Sequence, residues 1–457
     1  MSTFGSLNIA VTGMAAHRRI LDLTAHNVAN ATTAGYHRQR AELQSLGGRV
    51  AAGISAGSST RTYGVDVIDV TRSIDELLAA RATREDAGRS MANLTSATMS
   101  RVEGIFPEPT DLGLAHQLDE YWSAWTDLAN NPGDLAARTQ LLESADTLVT
   151  ALHRGATDLN GVRESAVTRM NTLAAEVNDL ATQIARLNPA INSNPDNIDL
   201  LDQRDLLVAS LSRLTGAVAR PTTNGQVDVS INGRTLVSAA FSYPVDGTTG
   251  ILVWVADGQA VTPPSGDAAS LAATIGDVVP RYLASLDDVA STLVSSVNAV
   301  HSAGFDQSGT TGRTFFDATG VTAATIALSV DVAGLPANIA AGAPVLPGPT
   351  APGPLDGEHA RAIAALADSA TGADTKYQAL VTTLAIETRA AAQRSNIQEH
   401  VADSAIRDAD SVGSVSIDEE MATLVAAQRA YEASARVFTA IDAMLGVLLE
   451  RTGVVGR

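Results

Sequence analysis

The sequence has no cysteine, few aromatic residues and no long apolar run. Without cysteine, disulfide bonds, thiolate catalysis and cysteine-ligated zinc are excluded. Aromatic residues make up 4% of the chain and hydrophobic residues 45%, so its core must consist mainly of Leu, Val, Ile and Ala. No stretch reaches the roughly 18 consecutive apolar residues that a membrane helix needs. A chain of 457 residues has room for about two to four domains.

Positive charge is also scarce. The formal net charge is −19, and Lys376 is the only lysine among 31 basic residues. Binding to nucleic acid requires a basic surface that displaces counterions, so the charge argues against such a partner. Arg18 and Arg19 interrupt the segment where the apolar part of a signal peptide would continue. We expect a protein without membrane insertion that is either cytoplasmic or exported without a cleaved signal peptide.

Apolar residues near the N-terminus follow a heptad pattern. Spacings of three and four place them on one face of a helix predicted over about residues 3–29, as in a coiled-coil seam. The helix should end in the polar run 30–35, where Gly35 can adopt a positive φ. The stripe predicted to serve assembly includes Leu7, Val11, Met14, Leu21 and Val28.

The last forty residues repeat this pattern. Ser416 can cap a helix whose first turn contains three acidic residues. Residues 1–40 hold four arginines against one aspartate, a net charge of +3, and residues 415–451 hold six acidic residues against three arginines, a net charge of −3. Opposite charge and matching stripes predict that the two chain ends pair. The C-terminal stripe consists of Ile417, Met421, Leu424, Tyr431, Phe438, Ile441, Leu445 and Leu448.

Between the ends, the pattern predicts a mainly α protein with β inserts. An alternating apolar pattern on both sides of Asn232-Gly233 indicates a β-hairpin within a β-rich insert at 216–278. A second, variable insert at 318–357 ends in a Pro/Gly-rich linker. Further helices are predicted at 73–103, 111–156, 170–187 (stopped by Asn188-Pro189), 199–214, 279–302 and 358–411.

These segments predict four parts of the chain. Residues 1–45 and 412–457 form a terminal coiled-coil assembly domain. Residues 46–215 and 279–411 form a helical bundle above it, interrupted by the two inserts. Since sequence-distant helices flank the inserts, the chain runs out from a helical base and returns to it.

Three patterns that could indicate chemistry are weak. Gly53-Ile54-Ser55-Ala56-Gly57 fits the nucleophile-elbow motif, but no apolar strand precedes it. The eight histidines include no pair spaced by four residues, so no helical zinc face is predicted. Four aspartates spaced by three, from Asp196 to Asp205, could bind a cation, but Asp199 as a helix cap and Arg204 as a counter-charge explain them better. We predict no catalytic, cofactor or metal site.

Two ordered motifs in the N-terminal segment are specific. The run Leu7 to Met14 leads through His26-Asn27-Val28-Ala29-Asn30 to Thr33-Ala34-Gly35-Tyr36, and this resembles the signature of flagellar rod, hook and hook-associated proteins. Ala34 departs from the family, which usually has proline there. Through this resemblance Asn27, Asn30, Gly35 and Tyr36 join the predicted assembly residues. The segments 199–205, 297–317 and 418–435 favour the hook-associated members.

The resemblance implies a non-enzymatic structural subunit of the extracellular bacterial flagellum, at the junction of hook and filament. It implies export through the flagellar type III channel, and an export chaperone on the C-terminal helix. Copies of the chain would form a ring, with the hook protein on one side and the next junction protein on the other. Two alternatives stay open: a hook or distal-rod protein, and a secreted enzyme or adhesin displayed on the flagellum.

Overall fold

The protein is mainly helical with small antiparallel sheets. A computed structural model describes residues 3–46, 63–345, 351, 353 and 355–452, and Gly53–Gly57 and most prolines of the predicted linker lie outside them. The helices of the described part are α1 (Thr3–Asn30), α2 (Glu76–Glu103), α3 (Leu114–Asn130), α4 (Leu135–Ser193), α5 (Ile198–Thr215), α6 (Gly266–Ala273), α7 (Val279–His301), α8 (Glu358–Ala364), α9 (Ala373–Gly413) and α10 (Ile417–Thr452). The strands are β1 (Gln39–Leu46), β2 (Gly64–Arg72), β3 (Val218–Pro221), β4 (Val227–Ile231), β5 (Arg234–Ser238), β6 (Phe241–Ser242), β7 (Val245–Asp246) and β8 (Val253–Trp254).

The two chain ends lie together in one part of the molecule, which we call the base. It comprises α1, the turn at 31–38, the ribbon of β1 paired antiparallel with β2, and α10. The sequence analysis did not predict this ribbon. The base joins the rest of the described chain, the body, through two links of three residues each, at 73–75 and 414–416.

The body contains two separate apolar cores. One lies among α3, the first half of α4, α7, α8 and the first half of α9, around a cluster of aromatic rings that includes Tyr121, Trp125 and Phe315. The other lies among the second half of α4, α5, α6 and the sheet β3-β4-β5-β6. At 59 residues α4 spans both cores. Neither core includes a described residue of the base.

The β-rich insert packs on α4 through two asparagines. Asn178 donates to Val245 O and accepts from Val245 N, at 2.8 and 2.9 Å. Asn188 bonds Val227 in the same two-way manner, with Nδ2–O and N–Oδ1 distances of 2.9 and 3.1 Å. In the predicted hairpin, Asn232 and Gly233 have φ of 47° and 83°, which is typical of the tight turns that join two strands. Strands occupy the insert up to Trp254, whereas from Gly266 the chain is helical.

The described part of the second insert is irregular and packs on the core that contains the aromatic cluster, where polar side chains anchor it. The buried Arg138 guanidinium donates to Pro132 O and Ile339 O, at 2.9 and 2.6 Å for Nη2 and Nη1. His301 Nδ1 lies 2.9 Å from Arg313 O, and its Nε2 accepts from Ala340 N at 2.9 Å. These side chains satisfy backbone groups that a loop without regular structure leaves unpaired.

Two predicted helix ends are wrong. The helix expected at 111–156 is broken by Asn131-Pro132-Gly133, so α3 ends before this turn and α4 begins after it. The stop expected at Asn188-Pro189 is absent, because α4 continues to Ser193. Ile191, two residues beyond the proline, is fully buried, and its packing supports the helix although Pro189 lacks a backbone donor.

Two further details of the helix predictions need correction. The single helix expected at 358–411 is two, since α8 ends before the turn Ser369–Gly372 and α9 begins after it. The cap of α5 is Asn197 rather than Asp199, and Asn197 Oδ1 accepts from Leu200 N at 3.3 Å. Asp199 lies instead in the first turn, where a negative charge is favourable.

Candidate assembly site

In the base, α1 and α10 pack side by side and antiparallel. A Cβ on Gly13 would lie 3.2 Å from Ser434 Oγ, while Asn27, four turns further along α1, bonds Glu420 near the start of α10. The contact therefore runs along the shared length of the two helices. Small residues let the helices approach closely, and buried ones on this part of α1 include Ala10, Gly13 and Ala16.

The predicted apolar stripes lie only partly within this contact. On α1, Val11 is exposed, and the other four stripe residues, Leu7, Met14, Leu21 and Val28, are half-buried. On α10, the half-buried members are Leu424, Phe438, Ile441 and Leu445, whereas Ile417, Met421, Tyr431 and Leu448 are exposed. A strict heptad reading would have buried them all. The bulky apolar side chains are thus left mainly at the margin of the helix pair.

Asn27 is the centre of a buried polar cluster where α1 ends. Its Nδ2 donates to Gln39 O and to Glu420 Oε2, both at 3.0 Å. Its Oδ1 accepts from Gln39 N at 2.9 Å and from Tyr36 Oη at 2.7 Å. Each of the two donors and two acceptor sites of the amide is therefore used. Burial, followed by the charges of Asp199, Asp202 and Glu420, raises the pKa of Tyr36 well above its ordinary value, so the phenol stays a donor.

The turn after α1 supplies the other predicted residues. Asn30 Oδ1 accepts from Thr33 Oγ1 at 3.2 Å, and Gly35 has a φ of 75°, as the sequence predicted. A Cβ at Gly35 would also lie 3.4 Å from Leu206 on α5. The signature residues Asn27, Asn30, Gly35 and Tyr36 therefore shape one turn, and that turn faces the body.

Charge complementarity between the chain ends is local. Arg38 Nη1 donates to Glu419 Oε2 at 2.8 Å, and Arg38 Nε lies 2.6 Å from the buried Glu420 Oε1. Within the described residues, no ion pair joins Arg18 or Arg19 to α10. The pairing of opposite charges that the sequence predicted along both helices is therefore concentrated at Arg38.

Two of the four regularly spaced aspartates from Asp196 to Asp205, which we call the aspartate ladder, bind the base closely. His37 N donates to Asp202 Oδ2 at 3.0 Å, and His37 Nδ1 lies 2.7 Å from Asp202 Oδ1. Arg72 Nη1 donates to Asp202 Oδ1 at 3.0 Å and to Asp205 Oδ2 at 2.6 Å. Arg204 also pairs with Asp205. Among the described residues, no group of three or more His, Asp or Glu is placed to hold a metal ion, and no helix is long and apolar enough to cross a membrane.

Several residues of this site could not be predicted from the sequence. Gln39, Arg72 and Gly413 carried no signal in the sequence, because their partners are far away along the chain. A Cβ at Gly413 would lie 2.9 Å from the His37 ring and 3.1 Å from Ser73 O. Glycine is therefore required where the end of α9 passes the turn.

Replacement of Asn27 by alanine should impair assembly strongly. The change removes four hydrogen bonds and leaves the Glu420 carboxylate and the Gln39 backbone buried without these partners, at a cost of about 3 kcal/mol or more. We expect the amount of protein retained on isolated flagella to fall at least about tenfold. Tyr36→Phe, which removes one of the four bonds, should have a much smaller effect. Equal retention of Asn27→Ala and wild type would contradict this reading of the cluster.

Comparison with known proteins agrees with this architecture. Residues 99–316 match the family model described as "Flagellar hook-associated protein FlgK helical domain", and residues 414–451 match "Flagellar basal body rod FlgEFG protein C-terminal". The chain is 27% identical to flagellar hook-associated protein 1 of Bacillus subtilis (strain 168), over 100% of both chains. It is 26% identical to the protein of that name from Salmonella typhimurium, over 67% of this chain and 58% of the relative.

A solved structure shares the fold. It is the flagellar hook junction protein FlgK from Burkholderia pseudomallei, with a TM-score of 0.64 and 16% identity over 75% of this chain and 100% of that one. With chain ends paired in a base and matches to two flagellar families, the protein is a structural component of the bacterial flagellum and not an enzyme. These matches identify a flagellar hook-associated structural protein that is similar to flagellar hook-associated protein 1.

Proposed function

We propose that the protein forms the junction between hook and filament, as a ring of copies joined through their bases. The observation that carries this proposal is the exposed apolar surface of the base. Ile417, Met421 and Leu448 on α10 are exposed to 53%, 48% and 57% of their surface, and Val11 on α1 to 43%. Apolar residues left at the margin of a helix pair favour burial against another molecule.

The chain ends should gain their final order from these neighbours. Isolated helices are marginal in water, and packing supplies most of their stability. The contact between α1 and α10 buries small residues, which contribute little, so we propose that these two terminal helices are disordered in the free subunit. Burial of about 1,000 Å² of apolar area on assembly would contribute about 25 kcal/mol, which can offset a large ordering entropy.

The remaining partners follow from the family. We propose the hook protein on one side, the next hook-associated protein on the other, and an export chaperone on α10 before export. Export would proceed through the flagellar type III channel without a cleaved signal peptide. The assembly residues would be those of the two stripes and of the turn 27–36. The domains would be those predicted: 1–45 with 412–457, 46–215 with 279–411, 216–278 and 318–357.

A deletion strain tests the junction role. If the protein joins hook to filament, cells without it should complete their hooks but release flagellin monomers into the medium, because the filament has no base on which to grow. Electron microscopy of hooks and immunoblotting of the medium measure this. A strain lacking hooks as well would indicate a rod or hook protein instead, and filaments of normal length would exclude the junction role.

A further inference from the structure

The two links between base and body lie next to each other. Arg38 N donates to Gly413 O at 2.9 Å, at the end of α9, and Ser73 N donates to Arg38 O at 2.8 Å. The links at 73–75 and 414–416 therefore leave the base close together, beside one residue of the turn. Two short, adjacent connections define an axis about which a rigid part can rotate.

The contacts away from this axis are polar. Asp202 and Asp205 on α5 bind His37 and Arg72 of the base, as described above. Asp199 contributes weaker contacts, since its Oδ1 accepts from Gln39 Nε2 at 3.2 Å and lies 3.6 Å from His26 Nε2. The side chains of His37, Arg72 and Asp205 keep 23%, 14% and 29% of their surface exposed, whereas that of Asp202 keeps 8%, so water and salt reach the rim of the cluster at Asp205 and His37.

No apolar core reinforces these contacts. Both apolar cores exclude the base among the described residues. Leu206, the α5 side chain nearest to Gly35 of the turn, is itself 43% exposed. Ion pairs that remain partly exposed contribute little free energy and are screened by salt, whereas opening a core would cost much more.

We propose that Asp202 and Asp205 form a releasable latch that sets the angle between base and body. With the latch closed, His37 and Arg72 hold the turn and the ribbon against α5. With it open, the base pivots about the two links while both cores of the body stay folded. This inference rests on the proposed junction role for its purpose, since a ring between two different structures requires a base angle that can adjust.

Hydrogen exchange on the full-length subunit tests the latch directly, because the His37 amide donates to Asp202. In the double variant Asp202→Asn/Asp205→Asn, we expect the His37 amide to exchange at least tenfold faster. Exchange in α4, in the buried part of α5 and in the ribbon of β1 and β2 should not change, since the base moves as a unit. In the wild type, 1 M NaCl should accelerate exchange of the His37 amide. The matched control is Glu358→Gln, which removes an exposed ion pair with Arg361 on α8.

A second variant acts from the other side of the latch. Arg72→Gln leaves α5 untouched, so it should accelerate exchange of the His37 amide even if the double variant folds poorly. Unchanged exchange of the His37 amide in both the Arg72 variant and high salt would overturn the proposal. So would equal acceleration throughout α5, which would show a structural role only. Neither result bears on the junction role, whose own test is the release of flagellin.

Discussion

Leu424→Asp should abolish swimming while leaving the body folded. The register that joins Gly13 with Ser434 and Asn27 with Glu420 places Leu424 opposite the buried Leu23 on α1. A carboxylate at this half-buried position would lie beside apolar groups without a partner, and ionised groups lose free energy when they are removed from water. We therefore expect the base not to form and the subunit to be lost from flagella. Leu21→Asp on α1 should have the same effect.

The expected result can be separated from misfolding of the whole chain. Neither core includes Leu424, so circular dichroism and the melting temperature of the body should match the wild type. Ile386→Asp on α9 is the matched control, since Ile386 is an exposed apolar residue of the body. It should retain motility. Normal filaments in the Leu424→Asp strain would contradict the assembly proposal for the paired chain ends.

The helices of this protein were largely predictable because their apolar periodicity is strong. The expected helix at 3–29 is observed at Thr3–Asn30, and that at 199–214 at Ile198–Thr215. Strand β2 and the break between α3 and α4 were not predicted, although the sequence contains weaker signals for both. Val65, Val67 and Val70 follow a near-alternating pattern in β2, and Asn131-Pro132-Gly133 is a strong turn signal. Both were assigned to helical surroundings, and the local pattern was the better guide.

The assembly site was predictable only in part. Periodicity indicated which faces are apolar, but not that α1 would use glycine and alanine for the contact and leave Val11 exposed. The choice depends on how closely two helices approach, which a single stripe does not encode. The aspartate ladder is a similar case, because Asp202 acquires its role from His37 and Arg72, 165 and 130 residues away in sequence. The sequence around the aspartates does not indicate either partner.

The core that contains the aromatic cluster should lose stability in mild acid because of His301. The imidazole is fully buried, and its Nε2 accepts from Ala340 N, so protonation would place two donors against each other. Burial first, and then the nearby His359 and Arg138, lower the pKa of His301 from 6.5 to about 4, although Arg313 O and Asp331 act in the opposite direction. The unfolded chain therefore binds this proton more readily than the folded one. The contribution of the neutral His301 to the free energy of unfolding is therefore fully present above pH 6.5, and it falls as the pH decreases towards 4.

The size of this effect can be isolated with His301→Gln, which cannot titrate in this range. Linkage predicts that, because of this one group, the free energy of unfolding of the wild type is about 2 kcal/mol lower at pH 5 than at pH 7. Carboxylates titrate in both proteins alike. The variant should thus be less stable than the wild type at pH 7, and this difference in the free energy of unfolding should shrink by about that amount at pH 5.

Unfolding in urea measures the difference through the fluorescence of Trp125, whose ring lies 6.2 Å from that of His301. A gap of the same size at both pH values would mean that His301 does not titrate on unfolding, and the acid sensitivity would then belong to the carboxylates.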